Sequence, residues 1–129
     1  YPSRISFISE ALCDIILEEC DEVDTIVGVA INGIPFATAV AEKLDLELAV
    51  FRPHHEKSGA FSSNYASVKG KKVVLVDDVV GTGNTFKSTL KAVKDEKGET
   101  VLCLTVINKT AMNKINSTKL RSLIRTRQI

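Results

Sequence analysis

The sequence predicts an α/β protein, a parallel sheet flanked by helices. Three observations carry that reading. Short apolar, β-rich runs recur at 25–30, 47–52, 72–77 and 100–108. Segments with apolar residues at helical spacing alternate with them, at 8–22, 34–44 and 85–97. The runs are close to continuously apolar, as expected of strands covered on both faces by crossover helices.

In chain order, residues 8–22 place Ile8, Leu12, Ile15, Ile16 and Cys20 on one helical face, with acids at other positions. The first strand, 25–30, follows. The segment 34–44 reads as a second helix, because Pro35 suits a first turn and the alanines allow close packing. The second strand is 47–52. Residues 53–70 hold Pro, Gly, Ser, Asn and several charges, which predicts a long loop with a short strand inside. The third strand is 72–77, and the third helix, 85–97, carries Phe86, Leu90 and Val93 on one face. After the fourth strand, 100–108, the tail carries Lys109, Lys114, Lys119, Arg121, Arg125 and Arg127 without an acid. Such a stripe could meet phosphates, or it could be a solvated edge that meets nothing. Leu120, Leu123 and Ile124 predict that its end still packs on the sheet.

A chain of 129 residues is long enough for one domain with a real core. A net charge of +1 implies no partner by itself. No apolar run approaches the roughly 18 residues of a membrane span, and no signal-peptide pattern opens the chain. Cys13, Cys20 and Cys103 form no metal-spaced or redox pair, so buried reduced thiols and a cytoplasmic location are expected. The chain opens on Tyr1 and not Met, which suggests the C-terminal part of something longer.

The chemistry concentrates in Val73-Val74-Leu75-Val76-Asp77-Asp78-Val79-Val80-Gly81-Thr82-Gly83-Asn84-Thr85. A buried strand ends in two carboxylates, and a Gly/Thr loop then opens a helix. The first amides of a helix lack intrahelical acceptors and favour an anion. Gly81 and Gly83 allow the backbone to approach it, and Thr82 and Thr85 add hydroxyl donors. Asp77 and Asp78 cannot hold that anion, but they suit Mg²⁺ or the paired hydroxyls of a sugar. A phosphorylated pentose satisfies both ends. Plain scaffolding is the alternative for a strand-turn-helix of this kind. No Lys-Ser or Lys-Thr closes the loop as in a Walker motif, and no third Gly stands at Rossmann spacing. A second strand-loop-helix, Gly28-Val29-Ala30-Ile31-Asn32-Gly33-Ile34-Pro35, could hold another anion by the same physics, or carry Gly for turn geometry alone.

The thirteen-residue run resembles the signature of type I phosphoribosyltransferases, which bind 5-phosphoribosyl-1-pyrophosphate (PRPP). The resemblance implies that family's fold, with Mg²⁺ as cofactor. It implies that Asp77 and Asp78 hold the ribose and the metal and serve catalysis. Gly81, Thr82, Gly83, Asn84 and Thr85 would hold the 5′-phosphate, although Gly81 stands where the family usually has Thr. The second loop is similar to the pyrophosphate loop of the orotate branch. Ala30, Ile31, Asn32 and Gly33 would then hold the diphosphate, with Arg52 beside them and a non-proline cis peptide near Ala30-Ile31.

Two departures weaken the transferase reading. Orotate enzymes carry Arg-Lys-x-x-Lys-x-His-Gly on a closing loop, and the corresponding stretch here is Arg52-Pro53-His54-His55-Glu56-Lys57-Ser58-Gly59. Glu56 is acidic where a cation should face the leaving diphosphate; a one-residue shift lets Lys57 serve as the catalytic cation, and His54 or His55 could act as donors or belong to a solvated loop. Asn108-Lys109 also replaces the Asp-Arg pair that helps hold the pyrimidine. The hood is reduced, with only the first helix and the tail left to build it. The run Ser63-Asn64-Tyr65-Ala66-Ser67-Val68 looks like archaeal orotate-phosphoribosyltransferase-like regulators, in which this fold follows a DNA-binding head. The expected function is a PRPP- or phosphosugar-binding effector domain of a transcriptional regulator, a homodimer meeting DNA only through a missing N-terminal domain. Whether it is an enzyme stays open. The alternatives are an active orotate- or purine-type phosphoribosyltransferase and an interaction module that binds no PRPP.

Overall fold

The computed structural model describes residues 2–53, 60–62 and 65–126. Its elements are α1 (Pro2–Glu19), β1 (Thr25–Val29), α2 (Ile34–Leu44), β2 (Glu47–Arg52), β3 (Ala60–Phe61), β4 (Lys72–Val80), α3 (Asn84–Asp95), β5 (Glu99–Asn108), β6 (Lys114–Ile115) and β7 (Thr118–Arg125). The seven strands form one sheet in the order β3-β2-β1-β4-β5-β7-β6. The five central strands pair in parallel, and only β3 and β6 run antiparallel at the two edges.

Alternate residues of the central strands feed two cores. Val74 and Val76 of β4 join Leu12 and Ile16 of α1 and Ala37 and Val40 of α2 on one face. Val73 and Leu75 join Phe86 and Val93 of α3 on the other. Burial on both faces is why these strands read as unbroken apolar runs.

Several boundaries move, each for a local reason. Helix α1 begins earlier and ends earlier than 8–22. The residues after it serve as a clamp to β4: the Lys72 N–H donates to Asp24 Oδ2 at 2.8 Å, and Lys72 Nζ to Glu22 at 3.0 Å. Helix α3 stops at Asp95, not 97, because Lys97 takes a left-handed φ of 66° and the Gly98 N–H turns back to the Val93 carbonyl. Strand β4 runs three residues beyond the expected Asp77, because β5 is long enough to pair with Val79 and Val80. The tail is not a free edge. It enters the sheet as β7, parallel to β5, with Leu120 buried.

The two segments left to build the reduced hood serve the sheet. Helix α1 packs in the same core as α2, and the tail supplies β6 and β7. Tail cations are also committed: Lys119 pairs with Glu19 at 2.9 Å, and Arg121 with Glu18 at 3.2 Å and with Glu19. Among the described residues, no helix is long and apolar enough to cross a membrane.

Candidate functional site

Strand β1 pairs with β4 only as far as Gly28 opposite Val76. The last four residues of β4 therefore overhang β1 while still pairing with β5. Asp77 and Asp78 lie in this overhang at the carboxyl edge of the sheet, where parallel sheets bind ligands. Each carboxylate accepts the amide of the next residue, Asp78 N–H to Asp77 Oδ1 and Val79 N–H to Asp78 Oδ1, both at 2.8 Å. Burial, with the hydrogen bond that the protonated Asp77 carboxyl donates to the Asp78 side chain, pushes the Asp77 carboxyl up to about 7. Two carboxylates held this close favour a shared proton or a bound cation over two bare charges.

The loop after β4 has the form expected of an anion cradle. Gly83 caps α3 with φ at 87°, a left-handed conformation that a side chain would strain. Its position is also packed, since a Cβ there would lie 2.9 Å from Met112 Cε and 3.1 Å from Ile115 Cδ1. The first helical bond runs from Lys87 N–H to the Gly83 carbonyl at 3.0 Å, so the Thr85 and Phe86 amides have no intrahelical acceptor. The Asn84 N–H donates to Thr82 Oγ1 at 3.2 Å, which leaves the Thr82 hydroxyl hydrogen for another acceptor. Asp77, Gly81, Thr82, Gly83 and Thr85 line a small cleft of about 40 Å³ here.

The β1 loop comes against the same strand. The Ala30–Ile31 peptide is cis, where the resemblance implies one. Ala30 donates to the Phe51 carbonyl at 2.8 Å and Gly33 to the Val29 carbonyl at 3.0 Å. A Cβ at Gly33 would lie 2.6 Å from the Val76 carbonyl oxygen and 3.0 Å from the Asp77 Cα. Gly33 is therefore the contact that seats this loop against the acid pair, and any larger residue would push the two apart. Ile31 and Asn32 project outward from it, exposed. Arg52, at the end of β2, follows the residue that Ala30 bonds and is exposed as well.

Of the sequence-derived residues, the structure brings together Asp77, Asp78, Gly81, Thr82, Gly83, Asn84 and Thr85, with Ala30, Ile31, Asn32 and Gly33 alongside and Arg52 at the rim. Lys57, with His54, His55, Glu56, Ser58 and Gly59, lies outside the described residues, as do Ser63 and Asn64. Among the described residues, no group of three or more His, Cys, Asp or Glu side chains could hold a metal. Any cation at Asp77 and Asp78 would need oxygens from a ligand, which is how Mg²⁺ is commonly held beside phosphates.

The sequence reading missed the wall that follows β5. Asn108 is fully buried and is not a solvent-facing replacement for a base-binding acid. Its Nδ2 donates to the Met112 carbonyl at 2.9 Å, and its Oδ1 accepts the Thr110 N–H at 2.8 Å and the Thr110 hydroxyl at 2.7 Å. Arg125 of β7 donates to the Thr110 and Met112 carbonyls at 3.4 and 3.0 Å. The Asn108/Thr110 spacing is a signal for a side-chain-closed turn, but nothing in sequence ties Arg125 or Met112 to it.

A model of the phosphoribosyl transferase domain matches residues 4–123 of this chain. The chain is 50% identical over 134 residues to the transcriptional regulator GfcR of Thermoplasma acidophilum, covering all of this chain and 68% of that protein. It is 41% identical to the regulator of the same name from Methanobrevibacter smithii, covering 95% of this chain and 67% of that one. The fold is similar to that of Mycobacterium tuberculosis orotate phosphoribosyltransferase solved in complex with PRPP, with TM-score 0.77, 20% identity, and 94% and 72% of the two chains covered. It is also similar to that of adenine phosphoribosyltransferase from Thermoanaerobacter pseudethanolicus, with TM-score 0.78, 22% identity, and 93% and 79% covered.

Proposed function

This chain belongs to the phosphoribosyl transferase domain family, and from that premise we propose that it is the phosphosugar-sensing part of a transcriptional regulator. It binds PRPP or a related phosphorylated pentose, it has weak or no transferase activity, and another part of the regulator meets DNA. The observation that carries the reading is the seating of Gly33 against Val76 and Asp77. That contact sets one loop-to-helix turn against the carboxylate pair that the other adjoins, and both turns are read here as anion cradles. A pentose with a phosphate at each end asks for this arrangement. Close relatives named as transcriptional regulators support the regulatory half.

In this reading the 5′-phosphate lies over Gly81, Thr82, Gly83, Asn84 and Thr85, and takes the Thr85 and Phe86 amides and the Thr82 hydroxyl. The ribose hydroxyls meet Asp77 and Asp78. The diphosphate faces Ala30, Ile31, Asn32 and Gly33 with Arg52 at the rim. The carboxylate pair, one member of which resists ionisation, fits a divalent cation, and Mg²⁺ there would neutralise charge on the diphosphate. Departure of that diphosphate needs further cations on a closing loop. Glu56 sits among the candidates, and Lys57 is the one lysine in the stretch 52–59, with His54 or His55 as weaker donors. Ground-state binding survives on the two rigid loops, while the rate suffers.

The test is calorimetry of PRPP with Mg²⁺, on the native protein and on an Asp77→Asn/Asp78→Asn variant. Binding should vanish in the variant while its thermal unfolding stays cooperative. Unchanged affinity would refute the site. Pyrophosphate release with orotate, uracil or a purine base should be far below the common enzyme range of about 1–10³ per second. Turnover within that range would establish the transferase reading, with Lys57 its first catalytic candidate.

A further inference from the structure

The loop after β4 is a short span held at both ends by one segment. At its start, the Val80 carbonyl accepts the Lys109 N–H at 2.9 Å. At its end, Gly83 lies against Met112, whose Cε would be 2.9 Å from a Cβ at that glycine. Between these points the fold gives the loop little support. Gly81 and Thr82 are exposed, and a Cβ at Gly81 would meet nothing within 4 Å. The course of the span sets the aim of the Thr85 and Phe86 amides at the head of α3. It depends both on the packing of Phe86 in the core and on where residues 109–112 stand.

Residues 109–112 are shaped from two sides. From within, buried Asn108 donates to the Met112 carbonyl at 2.9 Å and accepts the Thr110 N–H at 2.8 Å, and the Thr110 hydroxyl accepts the Met112 N–H at 3.1 Å. From outside, Arg125 of β7 donates to the Thr110 and Met112 carbonyls, which lie 15 and 13 residues earlier in the chain. One guanidinium thus spans the turn with two nitrogens of its fixed fork, a geometry that the point charge of an ammonium does not reproduce. Arg125 is exposed, so replacing it should leave the core intact. The other cations on its face of β7 are engaged elsewhere, since Lys119 pairs with Glu19 of α1 and Arg121 with Glu18 and Glu19.

We infer that Arg125 is a positioning residue for the phosphate loop, acting through Met112 on Gly83. The inference rests on the phosphosugar reading for the identity of the ligand, and it adds a residue that lies in neither of the two loops. Without the guanidinium the turn loses its outer brace and Met112 is free to leave Gly83. The loop amides then spend less time in the conformation that receives a phosphate. Affinity falls with the population of the competent loop, although no group of the cradle itself has been removed.

The test uses variants of the full-length protein: Arg125→Met, Arg125→Lys, Met112→Ala, the Arg125→Met/Met112→Ala double variant, and Arg121→Met as a control from the same strand. Each is titrated calorimetrically with ribose 5-phosphate, and amide hydrogen exchange of residues 83–86 is followed without ligand. Arg125→Met should weaken binding by about two- to thirtyfold, the range of couplings carried by residues that touch no ligand. Exchange at 83–86 should quicken while unfolding stays cooperative. Met112→Ala should do the same, and the double variant should bind no more weakly than the weaker single variant, because the two act in series. Arg125→Lys, which keeps the charge without the fork, should recover only part of the affinity. Unchanged affinity and exchange in Arg125→Met overturn the inference. So do full recovery by lysine, additive losses in the double variant, or an equal loss in Arg121→Met. If the native protein binds no phosphorylated pentose, the phosphosugar reading fails and the exchange data decide alone. Faster exchange in Arg125→Met but not in Arg121→Met then upholds the positioning role, and unchanged exchange overturns it.

Discussion

At the scale of single residues, two positions carry the sharpest expectations. Gly81 lies in the phosphate loop where the family usually has Thr, yet a Cβ there would meet nothing within 4 Å and its φ is not left-handed. The fold therefore does not require glycine at this point. Gly81→Thr should leave unfolding unchanged and add a hydroxyl donor to a charged phosphate, about 1.5–3 kcal/mol, or roughly tenfold to a hundredfold tighter ribose 5-phosphate binding. Loss of affinity by calorimetry would place the phosphate elsewhere. Asp77 makes a second prediction. Its carboxyl is raised from an ordinary 3.8 to about 7, first by burial and then by the Asp78 hydrogen bond. The folded protein therefore holds a proton that the unfolded chain releases between those values. Its stabilising contribution is complete below about pH 4 and is lost as pH rises through about 7. Glu19, held below its usual range by hydrogen bonds from Lys119 and Arg121, acts in the opposite sense at lower pH. In metal-free buffer the unfolding temperature of the native protein should fall relative to that of Asp77→Asn between pH 4 and 7. A constant difference between the two would refute the shift.

At the scale of elements, what was legible in the sequence is what local periodicity encodes. The bounds Ile34–Leu44 and Glu47–Arg52 are those read from the sequence, because Pro35 and the flanking turns mark their ends. The two strand-loop-helix turns were legible for the same reason, since Gly, Thr and Asn punctuate a strand-helix junction. The overrun of β4 was not, because pairing of Val79 and Val80 depends on the length of β5, a non-local fact. The tail was harder still. Its cations read as a free stripe, but Glu18 and Glu19, a hundred residues earlier, turn Lys119 and Arg121 into fasteners between α1 and β7. Asn108 read as a weakened base contact because its position was visible and its burial was not. Within the candidate site, the sequence located the two strand-loop-helix turns whose backbone amides could meet a ligand. It missed the turn after β5, where Asn108 and Thr110 bond each other and Arg125 donates to backbone carbonyls.

At the scale of the whole molecule, the two loops proposed to hold anions belong to different layers. The β1 loop opens α2, which packs in the core with α1, while the phosphate loop opens α3 on the opposite face of the sheet. A ligand that grips both loops at once joins the two helical layers across the edge of the sheet, which an anion in either loop alone cannot do. For such a ligand to regulate, it must bind the DNA-competent and DNA-incompetent states of the full-length protein unequally, and couplings of this kind are commonly about 1–3 kcal/mol. PRPP with Mg²⁺ should therefore change the affinity of the full-length protein for DNA fragments it selects from its own genome by roughly 5- to 150-fold. The reciprocal shift, DNA changing PRPP affinity by the same factor, is required by linkage and gives an internal check. Inorganic phosphate should do much less, because it occupies one cradle and leaves the layers unjoined. The Asp77→Asn/Asp78→Asn variant should keep the ligand-free DNA affinity and lose the response. A response that persists in the variant would move the effector away from this site. If full-length protein neither responds to PRPP nor turns it over, the domain is an interaction module whose cradles serve no signal.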